Sequence, residues 1–199
     1  MGAVTPQHID AILRRRSVRR FRPDPVPDDL LRLVLEAGTL APTGGNMQPW
    51  EFLLVEDPAM KEALVNETYS GYYSGPGNPQ RWIASAPVLI VLLCNFKRTL
   101  ARYGESALKI APLDVAAAAE NMILTAAHNG LGSCWVAGFR EEEVCRLLGL
   151  PELVRPMGLL PIGWPAEEPA AKPRLPLRLI THRDRYGVPY FDGGPPQPA

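Results

Sequence analysis

The chain has 199 residues, 46% of them hydrophobic, and carries 21 Lys plus Arg against 21 Asp plus Glu. That is enough material for one domain, 1–199, with a full core. The even charge balance excludes a general nucleic-acid binder, whose surface would be basic. No basic stretch followed by an apolar one opens the chain, and the longest apolar run, Ala86 to Cys94, is too short for a bilayer. A cytoplasmic protein with no membrane partner is therefore expected. Cys94, Cys134 and Cys145 have no metal-type spacing and sit in apolar contexts, so buried free thiols and no metal site are expected.

Thr5-Pro6 reads as a cap and first helical residue, with Ile9, Ile12 and Leu13 on one apolar face, predicting a helix to about Arg16. A second helix opens at Asp28 or Asp29, turns Leu30, Leu31, Val34 and Leu35 inward and closes at Gly38. LAPTGGNMQPW is a loop by composition. EFLLVED is a buried strand, and Asp57-Pro58 caps a helix through about Glu67. Residues 70–80, rich in Gly, Pro and Tyr, are expected to form a mobile loop and a candidate lid. APVLIVLLCNF is a core strand. The alanine-rich stretch 112–129 is the strongest helix, with Gly130 as its stop. GSCWVAGF is a short strand running into a turn, EEEVCRLLGL a short helix, and MGLLPIGWP a final core strand. From Pro165 onward the chain is Pro-rich and irregular. The sum is a mixed α and β domain with three to five strands.

RRRSVRRFR, residues 14–22, places six arginines in nine positions of a neutral chain. Three readings compete: a solvated helix end whose arginines complement the dipole, a nucleic-acid arm, and a phosphate site. For the last, Ser17 offers a hydroxyl, and Arg15, Arg16 and Arg19 offer forked donors. Neither a G-x-G-x-x-G nor a Walker-type loop is present. A second basic pair, Lys172 and Arg174, flanks Pro173 in extended chain, where alternate residues point the same way. Two cations on one face favour the phosphate reading.

RRSVRRF, followed by APTGGNMQPW, NGLGSCWVAGF and LPIGWPAEEPAAKPRLPL in that order, resembles the FMN-dependent nitroreductase family. The resemblance implies an α+β sandwich, a central, mainly antiparallel sheet flanked by helices. It also implies a homodimer with a swapped tail, residues 165–199 forming an extended arm and FMN lying at the interface. Carried over by position, Arg15, Arg16 and Ser17 would hold the ribityl phosphate and Arg19 the pyrimidine edge. Lys172 and Arg174 would join them at the phosphate. Pro42, Thr43, Gly44, Asn46 and Gln48 would come from the partner subunit. The turn at Val136, Ala137 and Gly138 would present backbone N–H groups to N5, with Ala137 and Gly138 facing it. Asn78 and Arg81 match positions near the ring loosely, and Tyr72, Tyr73 and Trp82 could stack on an acceptor or pack their loop. His8, His128 and His182 match no catalytic position, and no protein acid or base is assigned.

The implied activity is ping-pong transfer of hydride from NADH or NADPH through FMN to a nitroaromatic, quinone or other conjugated acceptor. Alternatives are a flavin-sequestering protein without turnover, or a subclass acting as enone reductase, dehalogenase or flavin-fragmenting benzimidazole synthase. Gly44 departs from the serine many members carry there, and Ala137 from the larger or polar residues of some subgroups.

Overall fold

The computed structural model describes residues 7–71 and 78–191. The chain divides into two compact units, Met1–Pro169 and Ala170–Ala199. The first holds a four-stranded antiparallel sheet in the order β1-β2-β4-β3. Its strands are β1 (Trp50–Val55), β2 (Val88–Asn95), β3 (Gly132–Ser133) and β4 (Val154–Gly163). Its helices are α1 (Asp10–Arg14), α2 (Asp28–Thr39), α3 (Pro58–Asn66), α4 (Phe96–Tyr103), α5 (Ala107–His128) and α6 (Glu141–Leu148).

Strand β2 explains why its sequence is apolar without alternation. Val88, Ile90, Leu92 and Cys94 face a core built with α2 and α5. Leu89, Val91 and Leu93 face the opposite core, built with α3 and α6. A strand covered by helices on both faces has no solvent side on which to place polar residues. The result is three layers, helix on sheet on helix.

Several elements match their sequence signals. Asp57 caps α3, its carboxylate accepting from the Met60 N–H at 2.8 Å. Gly149 ends α6 in the left-handed region at φ +62°, the usual glycine stop. Leu31 and Val34 are buried in α2.

Others differ. α1 is five residues long and buries Ala11, leaving Ile9, Ile12 and Leu13 exposed at 66%, 48% and 55%. Its cap pair, Thr5-Pro6, lies outside the described residues. α2 runs one residue beyond Gly38, and Gly38 is not its stop. A Cβ there would lie 2.8 Å from the Phe52 ring and 2.9 Å from the Met122 sulfur. Gly38 therefore allows α2 to approach β1 and α5. Gly38→Ala is expected to lower unfolding free energy by about 1–3 kcal/mol through overpacking, despite the better helix propensity of alanine. Urea denaturation would measure it.

α5 starts at Ala107, not Pro112. The ring of Pro112 removes one helical N–H donor near the start. Burial of Ala107 and Ala111 together with Val115, Ala118 and Ala119 outweighs that loss. The run Phe96–His128 is long and apolar enough to cross a membrane, yet these residues make it the core helix. α4 carries Phe96, Thr99, Leu100 and Tyr103 at helical spacing, a legible pattern left unassigned from sequence. The strand predicted over GSCWVAGF is only two residues long. Beyond Ser133 the chain makes single bridges, Val136 to Leu159 and Phe139 to Thr68. Cys94 and Cys134 are buried, and Cys145 is only partly so.

Among its described residues the second unit is irregular apart from the short 3-10 turn Leu177–Leu179. It contains a tight reversal in which Arg183 N–H donates to Val188 O at 2.8 Å and Tyr190 N–H to Thr181 O at 3.2 Å.

Candidate functional site

After α1 the arginine-rich segment becomes extended, and the sheet sets its course. Ser17 bridges Ser133 in parallel, and Val18 N–H donates to Ser133 O at 3.0 Å. A Cβ on Gly132 would lie 2.8 Å from the Val18 side chain, so the missing side chain is what admits this segment. Farther on, Ala166 N–H donates to Arg20 O at 2.9 Å and Arg22 N–H to Trp164 O at 2.8 Å. Ser17 to Arg22 is thereby threaded beside the end of β4.

This threading brings Arg15, Ser17 and Arg19 round one concavity of about 260 Å³, with Ser133, Cys134, Trp135 and, from α5, Glu120 and Ile123. Two guanidiniums oppose one carboxylate, so the concavity is net cationic. The Cys134 thiol reports the field. Burial pushes it up, while the Arg19 charge, a hydrogen bond with Ser17 and the Arg15 charge pull it back. Arg15 also lines a second cavity of about 460 Å³, with Arg14, Arg16, Leu131, Glu167 and Glu168 among its walls. Arg16 folds back, donating to Leu13 O at 2.7 Å and Arg15 O at 2.8 Å. Arg19 N–H donates to Glu167 Oε1 at 2.7 Å, and its guanidinium lies 5.7 Å from the centre of the Trp82 ring, within cation–π range.

Past Trp135 the chain enters the turn 136–138. Val136 exchanges both backbone hydrogen bonds with Leu159, at 2.9 and 2.8 Å. Its N–H is therefore committed to the sheet and is not free for a ligand. The N–H groups of Ala137 and Gly138 have no acceptor among the described residues, so the turn offers two donors rather than the three expected. Gly138 has a steric reason to be glycine, since a Cβ would lie 2.3 Å from Tyr69 O.

The loop 42–48 lies apart. It contributes to neither cavity lined by Arg15. Gly45, Asn46 and Gln48 all have positive φ, at 55°, 58° and 48°, a conformation that needs support at the two non-glycine positions. α4 and α5 supply it. Arg98 donates to Gln48 O at 2.7 Å and to Glu51 Oε1 at 2.8 Å, and Arg102 to Gly45 O at 3.4 Å. Asp114 of α5 accepts the Gly44 N–H at 3.3 Å. Asp114 and Glu120 differ by about 9 Å along the helix and roughly 240° round it. The loop and the arginine segment thus occupy different sides of α5. Pro42, Asn46 and Gln48 are exposed, and Thr43 and Gly44 half-buried.

Burial raises the Asp114 pKa, opposed by the hydrogen bond from Gly44. A carboxyl whose folded pKa exceeds its unfolded one binds more protons folded. Its stabilising contribution is full below the unfolded value, about 4, and is lost as pH rises through the folded one. Asp114→Asn keeps an acceptor for Gly44 without that titration. The variant is expected to gain stability relative to the parent as pH rises above about 4, read as a widening difference in chemical denaturation midpoints. The Cys94 thiol, pushed up to about 12 by burial and by Asp114, stays protonated.

Asn78 is exposed, and Arg81 pairs with Glu62 of α3 at 3.0 Å. Trp82 is half-buried against the core. Tyr72 and Tyr73 lie outside the described residues. Lys172 and Arg174 belong to the second unit and are exposed. Sequence reasoning missed Arg98, Arg102, Asp114 and Cys134. The signal for Asp114 was a lone acid inside an alanine-rich run. The α4 arginines would have needed α4 to be recognised.

A sequence model of the nitroreductase family matches residues 12–164. A Thermus thermophilus protein named NADH dehydrogenase is 33% identical over 86% of this chain and 93% of its own length. A Salmonella typhimurium oxygen-insensitive NADPH nitroreductase is 31% identical over 89% of this chain and 74% of its own. Among solved structures, the Vibrio harveyi NADPH:FMN oxidoreductase in complex with NAD+ superposes with a TM-score of 0.78 at 26% identity, covering 89% of this chain and 76% of that one. With the family model spanning well over half of its length, the chain belongs to the nitroreductase family.

Proposed function

We propose that this protein is an NAD(P)H-dependent FMN oxidoreductase that works by ping-pong on a nitroaromatic, quinone or other conjugated acceptor. The observation that carries the reading is the convergence of Arg15, Ser17 and Arg19 on one cationic concavity; the amides of Ala137 and Gly138, two and three residues past its wall residue Trp135, meet no acceptor among the described residues. These donors fit FMN. A phosphate asks for forked cations and a hydroxyl, and a flavin ring asks for a backbone donor and a cation at its pyrimidine edge. Relatives named NADPH-flavin oxidoreductase, from Vibrio harveyi, and FMN reductase [NAD(P)H], from Bacillus subtilis, support the same assignment.

When bound, FMN supplies the redox chemistry, taking hydride from the nicotinamide and returning it to the acceptor. Arg15 and Ser17 hold the phosphate. Arg19 balances negative charge at the pyrimidine edge. Ala137 and Gly138 hold the ring for hydride arrival and departure. In the homodimer, Pro42, Thr43, Gly44, Asn46 and Gln48 of the partner subunit close the other side. Two features support this: the loop 42–48 is braced by hydrogen bonds with α4 and α5 yet lies outside the arginine concavity of its own protomer, and Ile9, Ile12 and Leu13 are exposed. Exposed apolar residues beside a cofactor site are what a second copy would cover.

The test is spectral. The purified chain is expected to take up one FMN per protomer, and NADH or NADPH is expected to bleach it under anaerobic conditions. Stable yellow colour in both would support a flavin-sequestering protein instead. A protein that takes up no FMN overturns the reading.

A further inference from the structure

The amides of Ala137 and Gly138 belong to a turn outside regular structure, so something must hold that turn in place. Residues 67–69, at the end of α3, do so from one side. Arg140 N–H donates to Glu67 O at 2.9 Å, and Tyr69 N–H donates to Gly138 O at 2.8 Å. The Arg140 guanidinium reaches the Glu67 carboxylate at 2.5 Å. Thr68 and Phe139 form the bridge between these two hydrogen bonds. A ladder this short, with nothing beyond it, would fray.

Thr68 and Gln80 supply the missing restraint. Thr68 is almost wholly buried, and its hydroxyl is used in both directions. It donates to Val65 O at 2.7 Å and accepts the Gln80 N–H at 2.8 Å. The Gln80 side chain then returns, its Nε2 donating to Tyr69 O at 2.8 Å. Tyr69 O is the atom nearest to where a Cβ on Gly138 would stand. One hydroxyl and one amide thus fix the Tyr69 peptide from behind, and that peptide fixes the turn.

We propose that Thr68 and Gln80 are positioning residues that hold the Ala137–Gly138 amides at the cofactor ring by clamping Tyr69 against Gly138. The assignment rests on the flavin reading above. Neither residue touches the arginine concavity, and neither is expected to alter FMN affinity through the phosphate. Their effect falls on the orientation of the ring and on hydride transfer, for which small displacements cost large factors.

The test uses the full chain with Thr68→Val, Thr68→Ser and Gln80→Ala, in two arms. In flavin-free protein, amide hydrogen exchange is read at Tyr69 and Arg140, with β2 amides as the control for global stability. Thr68→Val and Gln80→Ala are expected to speed exchange at Tyr69 and Arg140 about tenfold while β2 is unchanged. In FMN-loaded protein the same variants are expected to alter the visible circular dichroism of the flavin. They should also slow its reduction by NAD(P)H about tenfold, with FMN affinity within about twofold of the parent. Thr68→Ser, which keeps the hydroxyl, is expected to restore all of these.

Parental exchange in both Thr68→Val and Gln80→Ala overturns the clamp. Faster exchange with parental dichroism and reduction rate overturns the positioning role. A parent chain that takes up no FMN overturns the role together with the flavin reading, and the exchange arm then shows whether the clamp itself exists. Should Thr68→Val fail to fold, Gln80→Ala, at a half-buried position, decides the outcome.

Discussion

Gly138→Ala is expected to cost about 3 kcal/mol of stability and to slow flavin reduction on the order of a hundredfold. The new Cβ would sit 2.3 Å from Tyr69 O, a backbone atom held from two sides. Tyr69 N–H is bonded to Gly138 O, and Tyr69 O accepts from Gln80. No side chain can rotate to relieve the contact, so either the turn or the 67–69 segment must move. The cost is steric rather than conformational, because Gly138 is not among the residues at positive φ. Gly149 provides the matched control. It has φ +62° and nothing near its Cβ position, so Gly149→Ala should cost about 1–2 kcal/mol from backbone conformation alone and leave flavin reduction unchanged. Denaturant unfolding and anaerobic stopped-flow measurements on both variants would separate the two causes. Equal effects on reduction would remove the case for a fixed turn.

Arg15→Ala is expected to weaken FMN binding by about 1.5–3 kcal/mol, the scale of a hydrogen bond to a charged group, or roughly 10- to 150-fold in Kd. Arg15 is half-buried and lines both cavities beside the extended segment. Its charge reaches the Cys134 thiol on the concavity wall. Fluorescence titration of FMN, strongly emissive when free, would measure the affinity. Unchanged affinity would count against the phosphate assignment.

Much of the fold was legible because its determinants are local. The unbroken apolar run of β2 signalled a core strand. Asp57-Pro58 marked the start of α3. Where local signals misled, a tertiary contact had outweighed them. Pro112 looks like a helix start, but the buried alanines before it carry α5 back to Ala107. Gly38 looks like a helix stop, but it is a packing position against Phe52 and Met122. The residues GSCWVAGF have strand composition, yet beyond Ser133 they make only single bridges, at Val136 to Leu159 and at Phe139 to Thr68.

The sequence by itself determined that a neutral, mixed α and β chain gathers its cations into one N-terminal segment, because charge, apolar periodicity and capping residues are written in linear order. Only the tertiary structure decided which of those cations share a concavity and which fold away. It also decided that Val136 spends its amide on the sheet while those of Ala137 and Gly138 meet no acceptor among the described residues, and that the strained loop 42–48 is braced by α4 and α5. The physical reason is that hydrogen-bond partners and close approaches depend on which segments meet in space. Ser17 and Ser133, or Tyr69 and Gly138, are neighbours only once the core has closed around β2.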